Sequence, residues 1–338
     1  MSDRVGLRDV IAYAKRVEAL GYDGLHVPET VHDGMAASLL ALEHTTQLIV
    51  RTSVILAFPR SPMLTACGAW DLAAFSSGRF QLGLGTQIEQ NIVGRFSVPW
   101  TEPVTRMGDY VGSLRAIWRS FQHGGPLSYA SENYTFTRLQ PFFDPGPLTV
   151  PPPPIWLGGV NEGMVGLAGS HADGIVTHPT NSNPRYLREI CLPALDAGRS
   201  RRDPDAPHLQ PFPIICGSQY ITGPTQAAVD RSREHHRRLL AFLYSTPSYR
   251  RSLTLHGWDD LGERLRLLTR TQDWDTLHEL VTDDVLDTLV PQGTWDQLPE
   301  VVRRWFGGLC TGVVLPLPDD PADDARFAEV IAAVGAVS

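Results

Sequence analysis

The sequence predicts an α/β protein whose architecture is a closed (β/α)8 barrel. Three observations support this class. Short apolar or β-branched runs alternate with longer amphipathic segments along the 338 residues, the runs are apolar on both faces, and seven such units can be counted. An open doubly wound sheet shares the first two features. Seven units plus a short first strand fit the barrel better.

The predicted elements follow one another in regular βα order. Strands are predicted at residues 24–29, 48–57, 79–86, 154–160, 174–179, 211–217 and 312–317. The clearest helical patterns cover 104–122, 184–197 and 225–243, two of them beginning beside Pro184 and Pro224, as helices often do. Only six residues precede the first helical pattern, so the first strand of the barrel is expected to be missing or very short. A misplaced start codon and a shortened barrel both explain this.

Two segments depart from the alternation. Residues 142–154 are too rich in proline for a helix or a sheet ladder and predict an extended loop. Residues 244–292 are mostly helical in pattern, with helices expected at 258–269 and 274–290. Counting the missing strand as the first, this segment is a helical insertion after strand seven. The whole chain, 1–338, is predicted to be one barrel domain that includes the insertion.

Composition excludes several classes of protein. The net charge of -8 leaves no basic surface for nucleic acid, and no apolar run approaches the length of a membrane span. The first 20 residues have charges among their apolar positions, unlike a signal peptide. The four cysteines lie far apart and lack the close pairing of a zinc or redox motif. We therefore expect a cytoplasmic protein with a small-molecule substrate, no bound metal and no membrane or nucleic-acid partner.

Glycines end two consecutive predicted strands. Residues 76–87 read SSGRFQLGLGTQ, and residues 154–160 read PIWLGGV. The first stretch lacks the third glycine of a dinucleotide fingerprint and belongs to a middle strand, which argues against a Rossmann loop. Two interpretations remain: the glycines leave room for packing, or they let a flat ring or a phosphate approach the main chain at the catalytic face of a barrel.

Polar side chains after the predicted strands are candidates for chemistry. Glu29, His32 and Asp33 follow one strand end, where a carboxylate and an imidazole could exchange a proton with a substrate. The alternative is that Glu29 or Asp33 caps the next helix and His32 orders a loop. His178, at another strand end, could contact substrate or cofactor, or order its own loop.

Three arginines are candidates for binding an anion. Arg60, Arg95 and Arg106 could bind a phosphate or the acidic tail of a cofactor. The alternative for each is an ordinary surface or ion-pair arginine. Glu43 and His44 lack the second histidine of a zinc helix and are expected to be structural.

Most of the chain resembles the luciferase-like flavin and deazaflavin oxidoreductases, and within them the subfamily that uses coenzyme F420. The segments that carry the resemblance are GYDGLHVPETVHD (21–33), RTSVILAFPRSP (51–62), AWDLAAFSSGRFQLGLGTQ (69–87), RFSVPW (95–100), PPPPIWLGGV (151–160), ADGIVTHP (172–179) and LHGWDDL (255–261). The resemblance implies a (β/α)8 barrel, a homodimer, and a cofactor ring at the carboxyl ends of the strands.

Carried over by position, the resemblance also implies a set of site residues. It predicts a cis peptide bond between Ser53 and Val54 that supports one face of the ring. The residues expected to bind the cofactor are Ser53, Val54, Thr86, Gln87, Gly158, Gly159, Val160 and His178. Glu29 stands where some deazaflavin relatives have a histidine, and Ile88 where they have a glutamate, so the proton-transfer roles of those relatives are not carried over.

The predicted function is hydride transfer between coenzyme F420 and a small organic substrate, with Glu29 or His32 as the catalytic residues that handle the proton. One alternative is a monooxygenase that uses reduced flavin mononucleotide (FMN) and oxygen. Another is a non-catalytic or cofactor-free relative.

Overall fold

The computed structural model describes residues 1, 5–202 and 211–336. Contacts within the chain form two compact units. Among the described residues, the first consists of 1, 5–158, 167–174 and 201–202, and the second of 159–166, 175–200 and 211–336. In the described part of the chain, no helix is both long enough and apolar enough to cross a membrane.

The first unit begins with a βα alternation. Its elements are α1 (Val10–Ala19), β1 (Gly24–Val27), α2 (Gly34–Glu43), β2 (Ile49–Thr52), β3 (Ile55–Leu56), α3 (Pro62–Phe75), β4 (Phe80–Gly85), α4 (Glu89–Gly94), α5 (Pro103–His123), β5 (Tyr129–Ala130), β6 (Thr135–Phe136) and β7 (Ile155–Gly159). Helix α6 (Glu162–His171) follows and has residues in each unit.

The second unit continues the alternation and contains the insertion. Its elements are β8 (Gly174–Thr177), α7 (Pro184–Tyr186), α8 (Leu192–Arg199), β9 (Ile214–Cys216), β10 (Ile221–Gly223), α9 (Gln226–Tyr244), α10 (Arg251–Leu255), α11 (Asp259–Arg270), α12 (Asp283–Leu289), β11 (Gln292–Thr294), α13 (Leu298–Phe306), β12 (Gly312–Val313) and α14 (Asp324–Gly335). Short 3-10 turns cover Pro141–Phe143, Pro179–Asn181, Pro247–Tyr249, Leu277–Leu280, Trp295–Gln297 and Pro321–Asp323.

All seven predicted strands are present, and their pairing is parallel. In the first unit the order is β1-β2-β4-β7, and β3 also pairs with β4. In the second unit, β9 pairs with β8 on one side and β12 on the other. The central strands are buried on both faces, as the apolar runs predict, with Leu82, Leu84, Ile155 and Leu157 fully buried. Two small pairs were not predicted: parallel β10-β11 and antiparallel β5-β6.

Several predicted boundaries were wrong for identifiable reasons. The run 48–57 is two strands, interrupted at Ser53 and Val54. The strand predicted at 312–317 ends at Val313, shortly before Pro316, which has no N–H for a ladder. The helix predicted at 274–290 is a 3-10 turn followed by α12, which begins anew because the Thr282 side chain accepts from the N–H of Val285.

The helix predicted at 184–197 is one helical stretch with an irregular middle. Residues Leu187–Cys191, between α7 and α8, form a π-helical turn. Pro193 comes two residues after the end of this turn. It has no N–H to donate, and its ring crowds the main chain of the preceding turn, so the regular hydrogen bonding of an α-helix is disturbed there.

The start of the chain contains no strand among the residues that can be described. Residues 1 and 5–9 are irregular. Residues 2–4, on which the expected short first strand also falls, lie outside the described residues.

Candidate active site

The loop after β1 carries the three residues predicted for proton transfer. Glu29 is mostly buried, and both of its carboxylate oxygens have partners. Oε2 accepts from the N–H of Leu56 at 2.7 Å, and Oε1 pairs with the guanidinium of Arg60. The same nitrogen of Arg60 donates to Asp33 at 2.7 Å. The structure thus gathers Glu29 and Asp33 around one cation.

Asp33 and His32 differ in their surroundings. Asp33 is the N-cap of α2 and accepts from the N–H groups of Met35 and Ala36 at 2.9 and 3.0 Å, as the capping interpretation predicts. Burial raises the pKa of Asp33, but hydrogen bonds from Ala36 and Arg60 outweigh burial and bring the pKa below its ordinary value. His32 is half-buried and forms no hydrogen bond or ion pair with any residue in the described ranges.

The peptide bond between Ser53 and Val54 is cis, as the resemblance predicts. The Val54 side chain lies against the ends of two further strands of the first unit. A Cβ on Gly85 would collide with Cγ2 of Val54, and a Cβ on Gly158 would lie 3.2 Å from Cγ1. The two glycines therefore make room for the Val54 side chain.

Gly83 has a different role from Gly85. A Cβ at this position would collide with the carbonyl oxygen of Thr52 on the neighbouring strand. The Thr52 hydroxyl also accepts from the N–H of Gly83 at 2.8 Å and lies 2.9 Å from its carbonyl oxygen. The packing interpretation thus explains Gly83 on its own.

Thr86 and Gln87 follow β4 directly. Gln87 has a φ of 61°, in the left-handed region, and its side-chain oxygen accepts from the N–H of Ile88 at 3.0 Å. The Thr86 hydroxyl donates to the carbonyl of Gln87 at 3.0 Å. Local hydrogen bonds therefore hold both residues in one conformation at the strand end.

In the second unit, side chains donate to the main chain directly after β7. The carbonyl of Val160 accepts from Nδ2 of Asn181 at 2.6 Å and from the Tyr186 hydroxyl at 3.0 Å. A Cβ on Gly159 would lie 2.7 Å from Cδ1 of Ile175, so this glycine is also required by packing. The carbonyl of Val160 is therefore engaged by two donors.

His178 follows β8 directly and orders its own loop. Its Nδ1 accepts from the N–H of Thr180 at 3.3 Å and lies 2.8 Å from the Thr180 hydroxyl. Its ring stacks on Tyr249, with centroids 4.3 Å apart and planes 18° apart. Burial lowers the pKa of His178 to about 4, so the imidazole is neutral at physiological pH.

The predicted anion-binding arginines have structural partners. Arg60 is paired with two carboxylates, as described above. Arg95 donates to the carbonyl of Thr30 at 2.9 Å. Arg106 donates to the carbonyl of Pro99 at 2.9 Å and lies over the ring of Phe58. These contacts are those of fold-stabilising arginines.

Sequence patterns did not point to Tyr249, Asn181 or Tyr186. Tyr249 is separated from His178 by three helices and two strands, and no spacing relates the two residues. The Asn181 and Tyr186 contacts are directed to a main-chain carbonyl, which any sequence possesses. The one available signal was the polar run THPTNSN directly after an apolar strand.

Comparison with known proteins identifies the family. Residues 1–311 match the family described as luciferase-like monooxygenase. An uncharacterized protein of Mycobacterium tuberculosis is 39% identical over 303 residues, covering 89% of this chain and 86% of its own. A 5,10-methylenetetrahydromethanopterin reductase of Archaeoglobus fulgidus is 25% identical over 317 residues, covering 91% and 89%. The chain belongs to the luciferase-like monooxygenase family.

Solved structures give the same fold. The coenzyme F420 dependent tetrahydromethanopterin reductase of Methanopyrus kandleri superimposes with a TM-score of 0.74 at 18% identity, covering 98% of this chain and 94% of its own. An F420-dependent secondary alcohol dehydrogenase gives 0.73 at 19%, covering 97% and 95%. The FMN-bound oxygenating constituent of 3,6-diketocamphane monooxygenase from Pseudomonas putida gives 0.69 at 14%, covering 100% and 93%. The luciferase-like (β/α) barrel predicted from the sequence is confirmed.

Proposed function

We propose that this protein is an F420-dependent oxidoreductase that transfers a hydride between the deazaflavin and a small organic substrate. The observation that carries the proposal is the agreement of two comparisons. The methylenetetrahydromethanopterin reductase resembles the chain over nine-tenths of its sequence, and the two F420-dependent structures superimpose with TM-scores of 0.74 and 0.73. The family match over residues 1–311 also supports a single domain that includes the insertion.

A second candidate is an FMN-dependent monooxygenase. The FMN-bound camphane enzyme covers the whole chain with a TM-score of 0.69 and supports this alternative. The bound cofactor separates the two functions, because a deazaflavin has a carbon in place of the ring nitrogen with which reduced flavin reacts with oxygen.

The strand ends are compatible with a flat ring. In the first unit, Gly85 and Gly158 have no side chains and leave room beside Val54. In the second unit, His178 offers a neutral imidazole. The residues that we propose to hold the cofactor are Ser53, Val54, Thr86, Gln87, Gly158, Gly159, Val160 and His178. When bound, coenzyme F420 supplies a ring carbon that gives or accepts a hydride.

His32 and Glu29 are the proposed catalytic residues for the proton that accompanies the hydride. Both carboxylate oxygens of Glu29 already have partners, the N–H of Leu56 and the guanidinium of Arg60, which makes Glu29 less available to a substrate. His32 has no such partner among the described residues, and an imidazole ring has two nitrogens with which it can donate and accept hydrogen bonds to a substrate. We therefore assign the proton to His32 first, with Glu29 as the second candidate.

Cofactor binding tests the proposed function directly. Purified protein is titrated separately with coenzyme F420 and with FMN, and binding is followed by fluorescence. Saturable binding of F420 is the expected result. Binding of FMN alone overturns the deazaflavin proposal in favour of the monooxygenase, and binding of neither overturns both.

Substitution at the proton site gives the second test. His32→Ala should lower kcat for F420 turnover, measured with a panel of small ketones, imines and secondary alcohols, by about 100-fold because a general acid or base is lost. Glu29→Gln should lower kcat less, and F420 affinity should change little in either variant. His44→Ala, which removes another half-buried histidine at the end of α2, is the matched control. Unchanged turnover in both Glu29→Gln and His32→Ala removes the proton role.

We further propose that the protein is a homodimer and that α2 and α3 form its interface. Both helices consist mostly of apolar residues and have no continuous polar face, a composition typical of buried helices. Yet Leu39, Leu64 and Phe75 expose 43%, 72% and 50% of their surface. The groove between these helices is lined by Met35, Ala36, Leu39, Gly68, Asp71, Leu72, Ala74 and Phe75.

The four free cysteines suit a reducing compartment, and we place the protein in the cytoplasm.

A further inference from the structure

The insertion is fastened to the His178 loop by buried hydrogen bonds. The carbonyl of Thr180 accepts from the Tyr244 hydroxyl at 2.9 Å and from the Ser252 hydroxyl at 2.7 Å. Nδ2 of Asn183 donates to the Ser252 oxygen at 2.9 Å. All of these side chains are at least 98% buried. Breaking such a bond would leave a polar group unsatisfied in the interior, so the loop and the insertion are held in one arrangement.

This arrangement brings Tyr249 onto the imidazole of His178. Tyr249 ends the 3-10 turn Pro247–Tyr249, and its N–H donates to the carbonyl of Thr246 at 3.1 Å. The two rings are nearly parallel, 4.3 Å between centroids. A stacked partner on one face and a hydrogen bond from Thr180 to Nδ1 leave the imidazole little freedom to rotate.

The same contacts favour one neutral form of His178. When Nδ1 accepts from the N–H of Thr180, the neutral ring carries its proton on Nε2, and the Thr180 hydroxyl, 2.8 Å away, can donate to the same Nδ1. Nε2 is on the side of the ring away from Thr180, and no hydrogen bond joins it to another residue in the described parts of the chain. The strand end therefore presents an N–H donor whose direction is fixed.

We propose that Tyr249, supplied by the insertion, is a positioning residue that holds the imidazole of His178 as a neutral hydrogen-bond donor to an oxygen of the bound ligand. This inference rests on the proposed function, because it deepens the role of His178 at the cofactor site. The ligand oxygen belongs either to the deazaflavin or to the organic substrate. In both cases the histidine orients the ligand without exchanging a proton with it.

The first experiment needs no ligand. Two-bond 15N–1H NMR spectra of the histidine rings should show the Nε2–H form of His178 in the free protein, assigned by its loss in His178→Asn. Tyr249→Phe, which keeps the ring, should preserve that form, and Tyr249→Ala should give a mixture of the two neutral forms. A single Nε2–H form in Tyr249→Ala shows that Tyr249 does not position the imidazole and overturns the proposal.

The second experiment measures the Kd for F420 by fluorescence. If the acceptor is on the cofactor, Tyr249→Ala should weaken binding at least 5-fold and Tyr249→Phe less than 2-fold. If it is on the substrate, Kd should be unchanged and KM should rise by a similar factor in Tyr249→Ala alone. Phe242→Ala, which truncates an exposed aromatic that contacts Trp274, is the matched control.

A double variant separates positioning from direct contact. The Tyr249→Ala change should have no further effect on Kd or KM once His178 is replaced by asparagine, because Tyr249 acts through the imidazole. Additive effects would mean that Tyr249 itself contacts the ligand, which overturns the proposal. Failure of the unsubstituted protein to bind F420 refutes the proposed function instead, and the NMR result of the free protein distinguishes the two failures.

Discussion

Asp33 has two tasks that can be separated by substitution. It caps α2 through the N–H groups of Met35 and Ala36, and it pairs with Arg60. Asp33→Ala removes both and should lower the free energy of unfolding at pH 7 by about 1 kcal/mol. Asp33→Asn keeps a capping oxygen and should cost less. Urea denaturation of the three proteins measures both differences.

The stabilisation contributed by the Asp33 carboxylate should depend on pH. The carboxyl pKa is lower in the folded protein than in the unfolded chain, so the stabilisation is present above the ordinary carboxyl pKa, near 4, and is lost as the pH falls through the folded value. The difference between the unsubstituted protein and Asp33→Ala should therefore shrink in acid. A difference independent of pH would show that the charge of Asp33 contributes nothing.

His178 should also make the protein less stable in acid, because its pKa too is lower in the folded protein than in the unfolded chain. The unfolded histidine binds a proton below pH 6.5, but the folded one does so only below about 4. Stability should fall as the pH decreases through this window, by about 2 kcal/mol at pH 5. His178→Asn keeps an acceptor for the N–H of Thr180 and should remove the loss. The test is urea denaturation of both proteins at pH 7.5 and 5.0, and parallel changes in the two would contradict it.

The candidate residues were predictable from sequence only as positions. The ends of the predicted strands identified Glu29, His32 and His178, because the end of an apolar run can be located without knowing which residues it contacts in the folded protein. The partners themselves were not predictable. Glu29 and Arg60 are 31 positions apart and meet through the geometry of neighbouring strand ends. A pairing of this kind depends on loop conformation, which local composition does not specify.

Among the elements, the strand ends around Val54 allow a sharp packing test. Gly85→Ala places a Cβ against Cγ2 of Val54, a branched side chain that cannot rotate away cheaply, and should cost about 1–3 kcal/mol of stability. Gly158→Ala meets Val54 at 3.2 Å and should cost less. Both changes are followed by thermal or urea denaturation.

A double variant identifies the cause of that loss. Val54→Ala removes the methyl groups that the new Cβ would meet, so Val54→Ala with Gly85→Ala should be less destabilised than the sum of the single changes. Strict additivity would mean that Gly85 is required for another reason, such as main-chain freedom.

The strands were easier to predict than their boundaries and the helical details. Burial on both faces left a continuous apolar signal for β4, β7 and β8. The break between β2 and β3 depends on a main-chain geometry that only the resemblance indicated. The π-helical turn and the new start of α12 arise from single residues, Pro193 and Thr282, whose effects on an otherwise helical pattern are visible after the contacts are known.

At the scale of the whole molecule, the order of elements was the most predictable property. Parallel strands separated by helices leave few alternatives, and the count of seven strands favoured the barrel over the open sheet. Assembly is less predictable from sequence. A mostly apolar helix has the same sequence pattern whether it packs against its own chain or against a second copy. The exposed residues of α2 and α3 give that information only in the folded chain.

The dimer proposal leads to a prediction about mass in solution. Four residues of α3 recur at intervals of four, three and four, which suits close packing against another helix: exposed Leu64, Asp71 and Phe75, and half-buried Gly68. Light scattering after gel filtration should give about twice the chain mass of 37.3 kDa. Leu64→Glu places a charge in the apolar interface and should give the mass of one chain, with an unchanged circular dichroism spectrum.

Leu267→Glu is the matched control for the dimer. Leu267 is also a leucine on a helix surface and is 62% exposed, but it lies on α11, whose apolar face is already packed within the insertion. This variant should keep the mass of the unsubstituted protein, because a charge on a solvated helix face has no partner chain to repel. An unsubstituted protein that is monomeric at tens of micromolar contradicts the dimer, and a Leu64→Glu protein that stays dimeric moves the interface away from α3.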